Sequence, residues 1–279
     1  MKRLIHIELQ KLLKNKASKV LIICYFVLLS LIALIASIEF DLGSLHISLA
    51  KMGIFNFPYI WHFNTYFAAL LKLFLAIVIV SMMSNEYSYG TLKQNLIDGL
   101  SKKEFIQSKF LTVILFALAS TVFIFILSLI LGYSFSSFTE ASIVFTDVDY
   151  LLAYFVKLMG FFSFCLFLGI LVKRSAFALG FLILWNIIEG FIFLGIRLVT
   201  PAGSNIGENV SRFFPLESMS SLIFNPLRRL SLVRNLEEQV SGQADTTIYD
   251  VNYVQILIVL AWTAIFVYLS YRVLKKRDL

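Results

Sequence analysis

The chain has 279 residues, 59% of them hydrophobic and only 15% charged, with a formal net charge of +7. A soluble domain carries about 25% charged residues, so this composition cannot cover a water-facing exterior and excludes a soluble globular protein. The basic balance does not point to nucleic acid, because Lys and Arg cluster beside apolar runs, as they do at membrane surfaces.

Taken in chain order, residues 1–19 read as an amphipathic helix. Leu4, Ile5, Leu9, Leu12 and Leu13 share about half of a helical wheel, and Arg3, Lys11 and Lys14 face away from them. Ile7, Glu8 and Lys16 break the pattern. Such a helix lies on the inner leaflet with its basic side toward anionic lipid heads. A membrane span needs roughly 20 apolar residues, and 20–38 is the first run long enough. Its core exceeds the roughly 7–15 residues of a cleaved signal peptide, and the small-residue site at 33–37 is poor.

Further spans are expected at about 64–83 (with Lys72 inside), 110–139, 150–172 (with Lys157), 175–196 (with Glu189) and 251–271. With the N-terminus inside, 16 of the 24 basic residues fall on the cytoplasmic side, as the positive-inside rule requires. Six spans with both ends cytoplasmic is the best topology; five or seven remain open because 213–227 is partly apolar. The whole of 1–279 is one transmembrane domain of an all-α polytopic fold, in the cytoplasmic (inner) membrane.

The cytoplasmic segment 84–109 is the most informative. Residues 91–98 form a short helix stopped by Gly99, and Ser101 with Glu104 has capping-box spacing to start the next helix. The short helix shows a polar face (Lys93, Gln94, Asp98) and an apolar one (Leu92, Leu96, Ile97), a docking surface for a cytoplasmic partner. The inner link at Lys173 and Arg174 is only a tight hairpin. Outside, the loop at 39–63 carries Pro58 and several aromatics. The loop at 197–250 should hold short interfacial or re-entrant helices, then a polar stretch around 237–247.

The stretch Glu86-Tyr87-Ser88-Tyr89-Gly90-Thr91-Leu92, followed by Leu96, Leu100-Ser101-Lys102 and Lys109, resembles the first cytoplasmic loop of type-2 ABC transporter permeases. There an acidic residue precedes Gly-Thr, a short coupling helix follows, and a Lys opens the third helix. Family members often place Pro in the turn where this chain has Gly99-Leu100-Ser101. The overall plan is similar too: a basic N-terminal helix, six spans and a long last outer loop. The resemblance implies the transmembrane subunit of an ATP-driven exporter, paired with a second copy or a paralogue and driven by a separate ATPase subunit. It places Glu86, Gly90, Thr91, Leu92 and Leu96 at the partner-docking coupling helix.

No Gly-x-x-x-x-Gly-Lys-Ser/Thr phosphate loop occurs in the chain, so ATP would be bound by the partner and no cofactor is expected here. His6, His46 and His62 form no metal pattern, Cys24 and Cys165 sit singly in apolar runs, and no nucleophile elbow occurs; the chain is not read as an enzyme. Ionisable residues within spans are functional candidates. Lys72, Lys157 and Glu189 all lie roughly 10–12 Å below the outer boundary. Lys157 and Glu189, on spans joined by a tight hairpin, are expected to pair, leaving Lys72 to attract an anionic or amphiphilic substrate. The same three residues support an alternative, an ion-coupled secondary transporter, although no inverted repeat is visible.

Overall fold

A computed structural model of the chain describes residues 2–37, 39–42, 45–48, 53–200, 206–229 and 249–277. The first helix, α1 (Lys2–Lys14), meets α2 (Lys16–Ser37) at 89°. Asn15 makes the corner: its side-chain oxygen accepts the Ser18 amide at 3.2 Å, capping α2. The single helix expected over 1–19 is therefore two, broken where the Asn15 side chain offers the backbone an alternative to helix.

After α2 comes a short antiparallel hairpin, β1 (Glu39–Leu42) with β2 (Leu45–Ser48), which pairs Glu39 with Ser48. Apart from this hairpin the described elements are helical, as expected.

Helices α3 (Tyr59–Leu70) and α4 (Lys72–Ser88) are bent by 44° at Leu71. The single run expected at 64–83 is thus longer and broken. Then come α5 (Thr91–Ile97), α6 (Lys102–Phe135), α7 (Ala141–Val144), α8 (Asp149–Val172) and α9 (Ser175–Val199). The segment between α9 and the last helix forms α10 (Ile206–Ser211), α11 (Pro215–Ser220) and a 3-10 turn at Pro226–Arg229, and the described chain closes with α12 (Tyr253–Lys275). The polar stretch expected at 237–247 lies outside the described residues.

Four helices are long and apolar enough to cross a membrane, and the two bent pairs bring the number to as many as six. At 1.5 Å per residue, the 34 residues of α6 extend about 51 Å, well beyond a hydrocarbon core of about 30 Å. The helix is therefore longer than the layer it would cross.

Helix α8 is the hub, packed against α12, α4, α6 and α9. Gly160 permits a close approach to α12: a Cβ there would meet Val259 Cγ1 at 2.7 Å. Small residues let helix backbones approach in membranes, where hydrophobic driving force between helices is absent. A buried hydroxyl triad ties three helices together: Tyr25 Oη lies 2.5 Å from Ser120 Oγ and 2.8 Å from Tyr154 Oη, and Ser120 Oγ lies 2.7 Å from Tyr154 Oη. By contrast α9 buries little more than Ala178, Leu182 and Glu189, so most of its apolar surface faces lipid or another chain.

The segment that follows α11 is pinned to α3. Tyr59 Oη donates to the Pro226 carbonyl at 2.6 Å, and His62 Nε2 lies 2.9 Å from the Phe224 carbonyl oxygen.

Candidate functional site: a helix held at the membrane rim by buried charge

Helix α5 is bounded by glycines that only a left-handed backbone explains. Gly90 has φ +68° and Gly99 φ +96°. At the C-terminal end, the Leu100 amide reaches the Asn95 carbonyl at 3.0 Å and the Gly99 amide reaches that of Leu96 at 3.2 Å. These two bonds form a Schellman motif. Ser101 then caps α6: its hydroxyl accepts the Glu104 amide at 3.2 Å, and Glu104 accepts the Ser101 amide at 3.0 Å. The reciprocal capping box stops one helix and starts the next within a few residues.

Replacing Gly99 by Ala should cost about 1–2 kcal/mol, the penalty for a Cβ in the left-handed region. Nothing lies within 4 Å of that Cβ, so the loss would be conformational and not steric. A fall in melting temperature of the purified protein, with unchanged helix content, checks it.

Behind α5 lies a charge cluster from three distant segments. Lys109, fully buried, donates from Nζ to Glu8 Oε2 and to Glu86 Oε1, both at 2.6 Å. Lys11 Nζ reaches the same Glu86 oxygen at 2.9 Å and lies 3.8 Å from Glu8 Oε1. Thr91 Oγ1, at the first residue of α5, donates to Glu86 Oε2 at 2.5 Å. Two carboxylates and two ammonium groups balance in charge. Burying any of them alone would be expensive, but together each oxygen and ammonium finds a partner. The cluster joins α1, the end of α4, the start of α5 and the first turns of α6.

The structure sorts the five residues expected to meet a partner. Glu86 and Leu92 are buried, at 3% and 1% exposure, and hold α5 from behind. Thr91 and Leu96 are half-buried, and Gly90 is exposed. The outward face is instead Tyr89 and Ile97, each 74% exposed, with Lys93, Gln94 and Asp98. Glu86 and Leu92 thus form the face of α5 and its base that packs on the rest of the chain: a short helix must bury one face to be held at all. Sequence reasoning passed over Glu8 and Lys11 as members of this site. The signal was present, because Glu8 interrupts an otherwise apolar face, and a charge out of place on such a face needs a partner.

The intramembrane charges follow a different plan from the one expected. Glu189 and Lys157 do not pair with each other; both engage α11. Glu189 accepts the Leu216 amide at 3.1 Å, the Glu217 amide at 3.0 Å and the Trp185 indole N–H at 2.6 Å. Lys157 Nζ donates to the Ser220 carbonyl at 3.2 Å. An anion sits at the amino end of the short helix and a cation at its carboxyl end, the arrangement its dipole favours. Unsatisfied backbone groups at helix ends attract these charges more effectively than a longer reach across α11 would.

Burial, followed by the Glu189 charge, pushes the neighbouring Glu217 carboxyl above its ordinary range, and Lys157 partly offsets this. Lys72, at the α3–α4 bend, rests its ammonium 4.4 Å from the Phe161 ring centroid and makes no carboxylate salt bridge among the described residues. Among the described residues no group of three His, Cys, Asp or Glu side chains is placed to hold a metal ion.

The chain belongs to the family described as protein of unknown function (DUF2705), which matches residues 20–279. It is also similar to the uncharacterized protein YhcI of Bacillus subtilis (strain 168), with 38% identity over 69 residues. That stretch is 25% of this chain and covers 22% of the relative's length.

Proposed function

We propose that this DUF2705 member is the membrane-spanning permease subunit of an ATP-driven ABC exporter. It forms the substrate pathway as a dimer, and a separate ATPase subunit drives it. The observation that carries the reading is α5: a seven-residue helix between α4 and α6, braced by a buried ionic cluster. A side chain cluster of this kind lets a push on α5 pass to α1, α4 and α6 without being lost in loop motion. Its outward face, an exposed Ile97 beside Tyr89, Lys93 and Asp98, has the mixed apolar and charged character of a protein contact.

In this reading α1 lies on the inner leaflet, the two bent pairs each supply one span, and six spans place both termini in the cytoplasm of a cell with an inner membrane. The ion-coupled alternative is weakened, because Lys157 and Glu189 are both committed to α11.

Affinity purification of the tagged chain from its native host in mild detergent tests the proposal. An ATPase subunit should copurify with the wild-type chain and be reduced at least about tenfold by Ile97→Asp, the loss expected when an apolar contact residue is replaced by a charge at an interface. Because Ile97 is solvent-facing, the variant should melt like the wild type. Absence of an ATPase from the wild-type preparation would count against the proposal.

A further inference from the structure

The first turns of α6 and the second half of α12, with Met159 of α8, line an open pocket of about 620 Å³. Phe110, Met159, Leu260, Ala264 and Tyr268 give it apolar walls, and Lys103 stands at its mouth. The two helix ends are fixed to each other there: Lys102 Nζ donates to the Arg277 carbonyl at 2.8 Å and to that of Lys275 at 3.3 Å. Arg277 turns inward, its Nη1 donating to Tyr87 Oη at 2.9 Å.

Four cations at this end are left facing outward: Lys103, Arg272, Lys275 and Lys276. None is in a salt bridge among the described residues. The carboxylate next to Lys103, that of Glu104, accepts the amide and hydroxyl of Ser101. An apolar slot beside a cluster of outward-facing cations matches an amphiphile with an anionic head. The outward ridge of α9 carries one exposed cation in its last turn, Arg197, against the four gathered here.

We propose that this slot is a binding site for an anionic glycerophospholipid of the adjoining leaflet. One acyl chain lies between α6 and α12, and the phosphate meets Lys103 and the cations at the end of α12. Each basic residue near a membrane surface strengthens attachment of an anionic lipid about fivefold. The inference needs no ATPase partner, so it stands or falls separately from the transport reading.

The test uses the full chain reconstituted in phosphatidylcholine vesicles doped with phosphatidylglycerol carrying a photoreactive acyl chain, with photoreactive phosphatidylcholine in parallel. Phosphatidylglycerol should label peptides of α6 and α12 well above phosphatidylcholine. Lys103→Gln with Lys276→Gln should lower that labelling about 25-fold, the product of two charges, whereas Lys103→Arg should keep it. Ala264→Trp, which fills the slot, should lower labelling by both lipids. Equal labelling by the two lipids, a preference that survives loss of both lysines, or label concentrated on α9 would overturn the proposal.

Discussion

Lys109→Met is expected to be the most damaging single substitution at the membrane rim. It leaves Glu8 and Glu86 buried and facing each other, with only Lys11 to compensate, and the Lys11 side chain is 37% exposed. Removing one partner of a buried ion pair costs about 3–5 kcal/mol, because the remaining charge has neither water nor counter-ion. A melting temperature lower by about 10 °C in detergent is the corresponding reading. Lys11→Met, at a more exposed ammonium, should cost about 1 kcal/mol or less.

The reason for the loss can be separated from its extent. Adding Glu8→Leu and Glu86→Leu to Lys109→Met removes the stranded charges and should restore most of the stability. It also removes the acceptor of Thr91. The fold should then recover while α5 loses its tether, seen as faster amide exchange confined to 90–98. If stability does not return in the triple variant, the cluster contributes something other than charge balance.

Glu189→Leu is expected to have the second largest effect. Its carboxylate satisfies two amides at the start of α11 and one indole N–H, and leaving buried donors without acceptors costs about 1–3 kcal/mol each. The loss should be about 3 kcal/mol or more, concentrated in the outer loop. Faster tryptic cleavage at Arg228 and Arg229, ahead of global melting, would show this. Glu189→Gln keeps an acceptor and should lose much less.

The apolar runs made the long helices legible, because lipid demands continuous apolar length and intrahelical hydrogen bonding. The turn chemistry of α5 was legible for the same local reason: Gly99, Ser101 and Glu104 act on backbone groups within a few residues. What could not be read locally were the partners of buried charges. Lys109 finds Glu8 at a separation of 101 residues, and no periodicity encodes that. The common depth of Lys157 and Glu189 suggested a direct pair, but depth does not reveal what lies between them. The amino and carboxyl ends of α11 occupy that position and take one charge each. The break at Leu71 likewise had no marker, since neither Pro nor Gly stands there.

The central claim, that the outward face of α5 meets an ATPase, is tested most directly by a photo-crosslinking amino acid placed at position 97 in living cells of the native host. The account predicts a crosslink from that position to a nucleotide-binding ATPase subunit, and none from the same probe at position 188 on the exposed apolar side of α9. A crosslink at position 97 to no protein, or equal ATPase capture from both positions, would contradict it.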